Sequence, residues 1–420
     1  MNAATATTFV VYGDQTGKRS GTYSGDGTST LIFDADTVFK IGETFEVILT
    51  DSLTSTDGFS FSPPFVYRFR SEVTNGSGDF DFEGAIVGQR GARGLTAGDW
   101  DGDGDLDLAV SNFNDDNLVI LQNDGSGVFS ASDTVGNQVG ASNVVALDWD
   151  GDNDLDLAVA NTLGNNVGIL QNNGSGEFSL VDTIANQLGA IGLTTGDYDG
   201  DGDLDLAVAN SLADEVAILE NDGTGLFDIL ETITSLGGAT ALSTGDWDGD
   251  GDLDLAVANF DAQNVVILAN DGASSFDVAD IITNQFGPNS LTAGDWDADG
   301  DMDLAVTNSS NRQLKILEND GAGDFTVSQT LFQLFGATGV ISGDWDVDRD
   351  LDLAVANSSA NNVIVFTNDG TGSFSIFDTI PGQIDASDLA AGDWDRDGDL
   401  DLAVANSSRG NNVSTLENLP

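Results

Sequence analysis

Short apolar runs separated by turns of Gly, Asp, Asn and Ser fill most of the chain, and they recur on a fixed beat. In one unit, Gly94-Leu95-Thr96-Ala97 reads as a short strand entering an acidic stretch, and Leu106 to Ser111 alternates directly after it. Leu118 to Leu121 is a third apolar run. It turns through Asn123-Asp124-Gly125-Ser126-Gly127 into a fourth strand around Phe129. The acidic stretch then returns seven times, its first Asp falling at Asp99, Asp148, Asp197, Asp246, Asp295, Asp344 and Asp393, always 49 residues apart. A Phe keeps the same register after each Gly-rich turn, at Phe80, Phe129, Phe178, Phe227, Phe276, Phe325 and Phe374. Four short strands per unit is the size of a propeller blade.

Seven such units predict a closed ring, because an open stack would leave two apolar blade faces in water. The chain ends fit closure. The last unit stops after Asn412-Val413-Ser414-Thr415-Leu416-Glu417-Asn418, without its turn, its Phe or its fourth strand. Those parts stand before the first acidic stretch, as Asn75-Gly76-Ser77-Gly78-Asp79-Phe80-Asp81-Phe82, so a strand near residues 79–84 should complete the last blade. The expected fold is all-β: a seven-bladed β-propeller of four-stranded blades over residues 73–420, preceded by a small antiparallel β-sandwich over residues 1–72. The latter rests on the β-rich runs Thr8 to Tyr12, Thr30 to Phe33, Thr44 to Thr50 and Phe65 to Phe69, with turns such as Ser24-Gly25-Asp26-Gly27 between them.

Composition narrows the function. The 420 residues carry 71 Asp+Glu against 12 Lys+Arg, a formal charge of -59, which repels nucleic acid and anionic membranes. There is no Cys and no His, so disulfides, thiolate chemistry and the commonest general base are missing. With 40% hydrophobic residues and 23 Phe, the chain has enough apolar side chain to fold. No apolar run is long enough to span a membrane. Met1-Asn2-Ala3-Ala4-Thr5 lacks the basic start of a signal peptide, so the chain is expected to be either cytosolic or a fragment of something longer.

Half of the acids sit in the seven repeated loops, five in each. They are Asp99, Asp101, Asp103, Asp105 and Asp107; Asp148, Asp150, Asp152, Asp154 and Asp156; Asp197, Asp199, Asp201, Asp203 and Asp205; Asp246, Asp248, Asp250, Asp252 and Asp254; Asp295, Asp297, Asp299, Asp301 and Asp303; Asp344, Asp346, Asp348, Asp350 and Asp352; and Asp393, Asp395, Asp397, Asp399 and Asp401. Five carboxylates at alternate positions of nine repel one another and need a counter-ion. Ca2+, with six to eight oxygen ligands at about 2.3–2.6 Å and loose geometry, suits such a loop. By analogy with other acidic calcium loops, positions 1, 3, 5 and 9 offer side chains and position 7 its carbonyl, with Gly at position 6 for the turn. An EF-hand is excluded: its position-12 Glu is replaced by Val110, Val159, Val208, Val257, Val306, Val355 and Val404, each in a strand-like segment.

These motifs resemble the FG-GAP or VCBS-type repeats of integrin α-subunit heads and of many bacterial and archaeal surface proteins. The resemblance implies a D-x-D-x-D-G-x-x-D loop joining the first two strands of each blade, up to seven Ca2+ on one face, and a place outside the cell or on its surface. Asn153 and Arg349 depart from it at position 6; Arg349 brings a positive charge, so the loop at Asp344 is expected to be weakest or empty. Gly17 to Tyr23, Phe39 to Thr44 and Ser55-Thr56-Asp57-Gly58 resemble the later part of a bacterial Ig-like domain. Seven basic residues, Lys18, Arg19, Lys40, Arg68, Arg70, Arg90 and Arg93, set the first 93 residues apart from the acidic ring.

The expected role is a calcium-binding adhesion, display or assembly module meeting a protein or glycan at a cell surface, with no nucleic acid partner and no membrane insertion. The alternatives are a lectin or a polysaccharide-degrading enzyme on the same scaffold. A lyase would need a base, and the ring offers only Tyr198 and one Lys; a hydrolase could use two carboxylates. Trp100, Trp149, Trp247, Trp296, Trp345 and Trp394, with Tyr198, hold position 2. They read either as a sugar-stacking platform or, more simply, as side chains packed between blades with their N–H bonded locally. Arg312 and Lys315 interrupt the repeat and read either as a contact for an anionic glycan or partner or, more simply, as solvated surface. Sequons stand at Asn75, Asn173, Asn308, Asn357, Asn406 and Asn412.

Overall fold

The computed structural model describes residues 8–24, 30–50, 53, 65–73, 76–407 and 409–419. The turns expected at Gly25-Asp26-Gly27 and Ser55 to Gly58, and the sequon at Asn75, lie outside them. Among the described residues every element is a strand, and seven four-stranded antiparallel sheets form the blades. Blade 1 runs Ala92–Gly98, Asp107–Asn112, Asn117–Asn123 and Phe129–Gly136, and each later blade repeats it. The second strand is buried on both faces, as its Asp-Leu-Ala-Val-Ala-Asn sequence requires, and the fourth, at the outer edge, is mostly exposed behind its first Phe.

Blade 7 is built from both ends of the chain. Ala386–Gly392, Asp401–Asn406 and Asn412–Asn418 pair in order, and Phe80–Val87 completes the sheet with Asn418 opposite Phe80. Inner strands touch from blade to blade, and blade 7 returns to blade 1. The expected closing strand is therefore present and extends to Val87.

Aromatic packing follows the ring. Each position-2 side chain meets the Phe of the next blade edge to face: Trp100 with Phe178, Trp149 with Phe227, Tyr198 with Phe276, Trp247 with Phe325, Trp296 with Phe374, Trp345 with Phe80 and Trp394 with Phe129. The centroids lie 5.7–6.1 Å apart, so one such pair seals every blade junction. The six Trp are between 0 and 2% exposed, which removes them as a sugar platform. One detail of the packing reading is corrected. Trp100, Trp247, Trp296, Trp345 and Trp394 have no partner for Nε1, and the polar anchoring comes from their backbone instead.

The N-terminal strands are antiparallel, in the order Gly17–Lys18, Phe9–Gly13, Thr44–Leu49, Phe65–Arg70, with the hairpin Gly21–Ser24/Ile32–Ala35 beside them. This sheet is not set apart from the ring. Val10, Tyr12, Ile48 and Val66 share one apolar core with blades 2 to 4. Arg68 Nη1, Arg70 Nη1 and Gln15 Nε2 donate to Thr244 O (2.8 Å), Ser342 O (3.0 Å) and Ala391 O (3.4 Å), the same repeat position in blades 4, 6 and 7. The sheet thereby caps the central channel on the side of the acidic loops, over a chamber of about 590 Å³.

Candidate metal centres

Each acidic loop leaves an inner strand and enters the second strand, so all seven share one face; they are numbered here 1 to 7 from Asp99 onward. Position 9 is the first residue of the second strand and the most constrained. Asp107 accepts the N–H of Asn123 on Oδ1 (2.8 Å) and of Trp100 on Oδ2 (3.2 Å), and Asp205 does the same with Asn221 and Tyr198. The Asn closing the third strand then reaches the preceding blade: Asn172 Nδ2 donates to Trp100 O (2.8 Å) and Leu155 O (3.1 Å). This clamp recurs through Asn123, Asn221, Asn270, Asn319, Asn368 and Asn418. Sequence reasoning took these Asn for turn formers only.

Positions 3 and 5 turn the loop by accepting the N–H two residues on, as in Asp103 to Asp101 (3.1 Å) and Asp105 to Asp103 (2.8 Å). Position 1 accepts the position-6 N–H, for example Gly202 to Asp197 Oδ2 at 3.1 Å. Carboxylate oxygens then converge to within 4.8 Å of one another: Asp99, Asp101 and Asp103; Asp148, Asp150 and Asp156; Asp197, Asp199 and Asp205; Asp246, Asp248 and Asp250; Asp295, Asp297 and Asp299. Position 7 does not join them. Asp105, Asp154, Asp203, Asp252, Asp301 and Asp350 turn away, against the turn glycines Gly125, Gly174, Gly223, Gly272, Gly321 and Gly370, where a Cβ would lie 2.4–2.5 Å from the carboxylate. Of position 7, only the backbone carbonyl is left as an oxygen that could serve the loop.

Position 4 matters as much as position 6, which the sequence reading missed although Gly102, Gly151, Gly200 and Gly249 mark it. Both positions are left-handed in every loop. Ala298 (φ +61°), Val347 (φ +61°) and Arg396 (φ +66°) are therefore strained, roughly 1 kcal/mol or more each. Where position 4 is Gly in loops 2 to 4, its N–H reaches Oδ1 of position 1 at 2.8–2.9 Å. In loops 1, 5, 6 and 7 the buried Oδ1 of Asp99, Asp295, Asp344 and Asp393 has no donor in hydrogen-bonding geometry. Loop 6 is strained twice, at Val347 and Arg349 (φ +82°). The charge of Arg349 is carried away from the loop, however, in an exposed 2.9 Å bridge to Glu72.

Burial, and then the neighbouring carboxylates, push the position-9 acids up: Asp107 and Asp303 to about 7, and Asp156, Asp205, Asp254, Asp352 and Asp401 to about 8. Asp148, Asp344 and Asp393 rise to about 6. Convergent hard oxygens, orphaned buried Oδ1 atoms and carboxyls strained toward protonation form a donor set that fits a hard divalent cation. Positions 1, 3, 5 and 9 would supply its side-chain oxygens.

A model of the FG-GAP-like repeat matches residues 99–159, 148–208, 197–257, 246–306, 296–355 and 344–404, more than half of the sequence. The chain belongs to the FG-GAP-like repeat family. No curated protein matches it by sequence. Among solved structures, this FG-GAP protein is similar to BBS1N in its complex with ARL6DN, at 15% identity, 82% of this chain and 98% of that one, TM-score 0.59. It is also similar to streptogramin B lyase (15%, 82% and 99%, 0.56) and to a protein from Lactobacillus plantarum (15%, 91% and 98%, 0.55). At this identity the likeness is one of fold. A binder and an enzyme share it, so the chemistry has to be read from this chain's own residues.

The remaining candidates of this FG-GAP chain are engaged locally. Lys315 Nζ donates to Asn284 O at 2.6 Å, and the Arg312 guanidinium lies 4.8 Å from the Phe335 ring. Asn308, Asn357 and Asn406 are buried at strand ends, which closes those sequons to modification in the folded protein; Asn173 is exposed.

Proposed function

We propose that this FG-GAP propeller is a calcium-loaded scaffold working outside the cell, as an adhesion, display or assembly module that meets a protein or glycan at a cell surface. The observation that carries the calcium reading is the convergence of positions 1, 3 and 5 or 9 in successive blades, with the position-1 Oδ1 of loops 1, 5, 6 and 7 buried without a donor. Uniformity around the ring supports a structural ion over a sensor: the same loop fixes the same corner in each blade. Millimolar calcium outside cells would keep such loops filled, and the position-2 aromatics, the position-9 Asp and the clamping Asn tie each loop to a blade junction.

The test is a calcium titration followed by melting temperature, on protein freed of metal and on Asp246→Ala. Each filled site stabilises the ring by about 2.7 kcal/mol when calcium is a hundredfold above Kd. A large loss of stability on chelation is expected, with Asp246→Ala losing one site's share. A melt indifferent to calcium refutes the reading.

A further inference from the structure

We propose that loop 1, Asp99–Asp107, carries its counter-ions within the chain. The Lys40 ammonium at Gly104 O and the Arg396 guanidinium at Asp105 sit beside the Asp99, Asp101 and Asp103 cluster and set a positive field against a divalent cation, so the ring binds one ion fewer than it has loops while the N-terminal sheet is docked. This deepens the calcium reading above and rests on it.

Two elements that are distant in sequence converge on this loop. Lys40 belongs to the N-terminal segment that crosses the junction of blades 7 and 1. Its neighbour Gly42 (φ +66°) lies so close to Leu400 that a Cβ would meet the Leu400 side chain at 2.6 Å. From there Lys40 Nζ donates to Gly104 O, and its charge bears on both Asp99 and Asp105. Arg396 comes from position 4 of loop 7, where loops 1 to 4 have Gly. Its guanidinium leaves its own loop and forms a salt bridge with Asp105 of loop 1. Gly104 leaves room for it, since even a Cβ there would lie 3.4 Å from Nη2. The other loop arginine, Arg349, turns outward to Glu72 instead of bridging to a neighbouring loop.

The contrast with loops 3 and 4 gives the arrangement its specificity. The N-terminal sheet bonds the same position-6 carbonyl there too, but through neutral donors: Tyr12 Oη to Gly202 O (3.3 Å) and the Val66 N–H to Gly251 O (3.1 Å). On loop 1 the donor is itself a full charge seated on that carbonyl, whereas Lys18 and Arg70 act on Asp203 of loop 3 and Asp344 of loop 6 only through space. Two cations against five carboxylates leave loop 1 much less negative than its neighbours and set a repulsion against any further cation. That repulsion weakens calcium binding there by about a hundredfold or more.

The experiment counts calcium bound at saturation, by equilibrium dialysis and metal analysis, on the full chain freed of metal. Wild type is compared with Lys40→Met, Arg396→Gly and the double variant. Arg396→Gly installs the residue that loops 1 to 4 already carry and relieves a left-handed arginine, so folding is not put at risk. The double variant is expected to bind one ion more than wild type, and adding Asp101→Asn with Asp103→Asn should abolish the gain. Equal counts in wild type and double variant overturn this inference and leave the calcium reading intact. No bound calcium in either overturns the calcium reading itself.

Discussion

In protein freed of metal, stability should fall as pH rises from 5 to 8, and saturating calcium should reverse that slope. The perturbation acts on the position-9 carboxyls, whose ordinary value is 3.8 and which folding pushes to about 7 or 8 by burial among other acids. A carboxyl raised by folding is protonated in the native ring and ionised in the unfolded chain between those values. Its stabilising contribution is complete below 3.8 and is lost as pH climbs through 7 to 8. Each such group changes unfolding free energy by up to about 1.4 kcal/mol per pH unit in that window. One proton per blade sets a ceiling of about 10 kcal/mol per unit. Water at the loop face screens this heavily, and a third of the ceiling, roughly 3 kcal/mol per unit, is readily measured. A bound cation instead requires ionised carboxylates and displaces their protons, so the calcium-loaded protein gains stability over the same range. The assay is urea unfolding at pH 5, 6, 7 and 8, with and without calcium. Parallel slopes in the two series would show that the cation does not act on these carboxyls, and a metal-free series rising with pH would show that burial does not raise them.

Three further outcomes follow from the packing. Asn172→Ala removes donors to Trp100 O and Leu155 O and the acceptor for the Gly174 and Gly176 N–H groups, and should cost about 2–4 kcal/mol in urea unfolding with the calcium count unchanged. Phe80→Ala and Phe129→Ala should each cost about 3–5 kcal/mol and agree within about 1 kcal/mol, because the strand that closes the ring packs on Trp345 as its repeat equivalent packs on Trp394. Val347→Gly should stabilise the protein by about 0.5–1 kcal/mol, the relief of a β-branched left-handed residue less the added chain entropy of glycine, read as a shift in the urea midpoint.

What could be read from the sequence was what the chain repeats. The 49-residue interval gave seven independent looks at each position, so the loop acids, the position-2 aromatics and the Phe series all stood out before any coordinate. Closure was legible because the parts missing after Asn418 stood intact before Asp99. Position 4 escaped notice because Ala298, Val347 and Arg396 hide a conformational demand that only φ reveals. The clamping Asn escaped because its reach to the preceding blade is a matter of three-dimensional neighbours: Asn172 is 72 residues from Trp100. Arg312 and Lys315 stood out because they break the repeat, yet one lies over Phe335 and the other ties a turn at Asn284. Breaking the repeat marks a residue as locally different, which a packing role satisfies as well as a binding one.

The N-terminal segment shows the same limit from the other side, because it occurs once and nothing in the repeat could place it. Its basic residues looked like an electrostatic contrast with the ring, whereas they complement it. Closing seven blades puts every acidic loop on one face, a charge density that opposes closure itself. Lys40 meets that face at Gly104, while Arg68 and Arg70 meet the channel rim at Thr244 and Ser342, and Glu72 engages Arg349. Whatever neutralises the loop face, bound cation or docked sheet, therefore favours the closed ring, and each changes the field in which the other binds. Ring closure, docking of the N-terminal sheet and cation binding are on this account one linked equilibrium. A truncation that removes the sheet but keeps Phe80–Val87 should leave the ring closed and more dependent on calcium than the full chain.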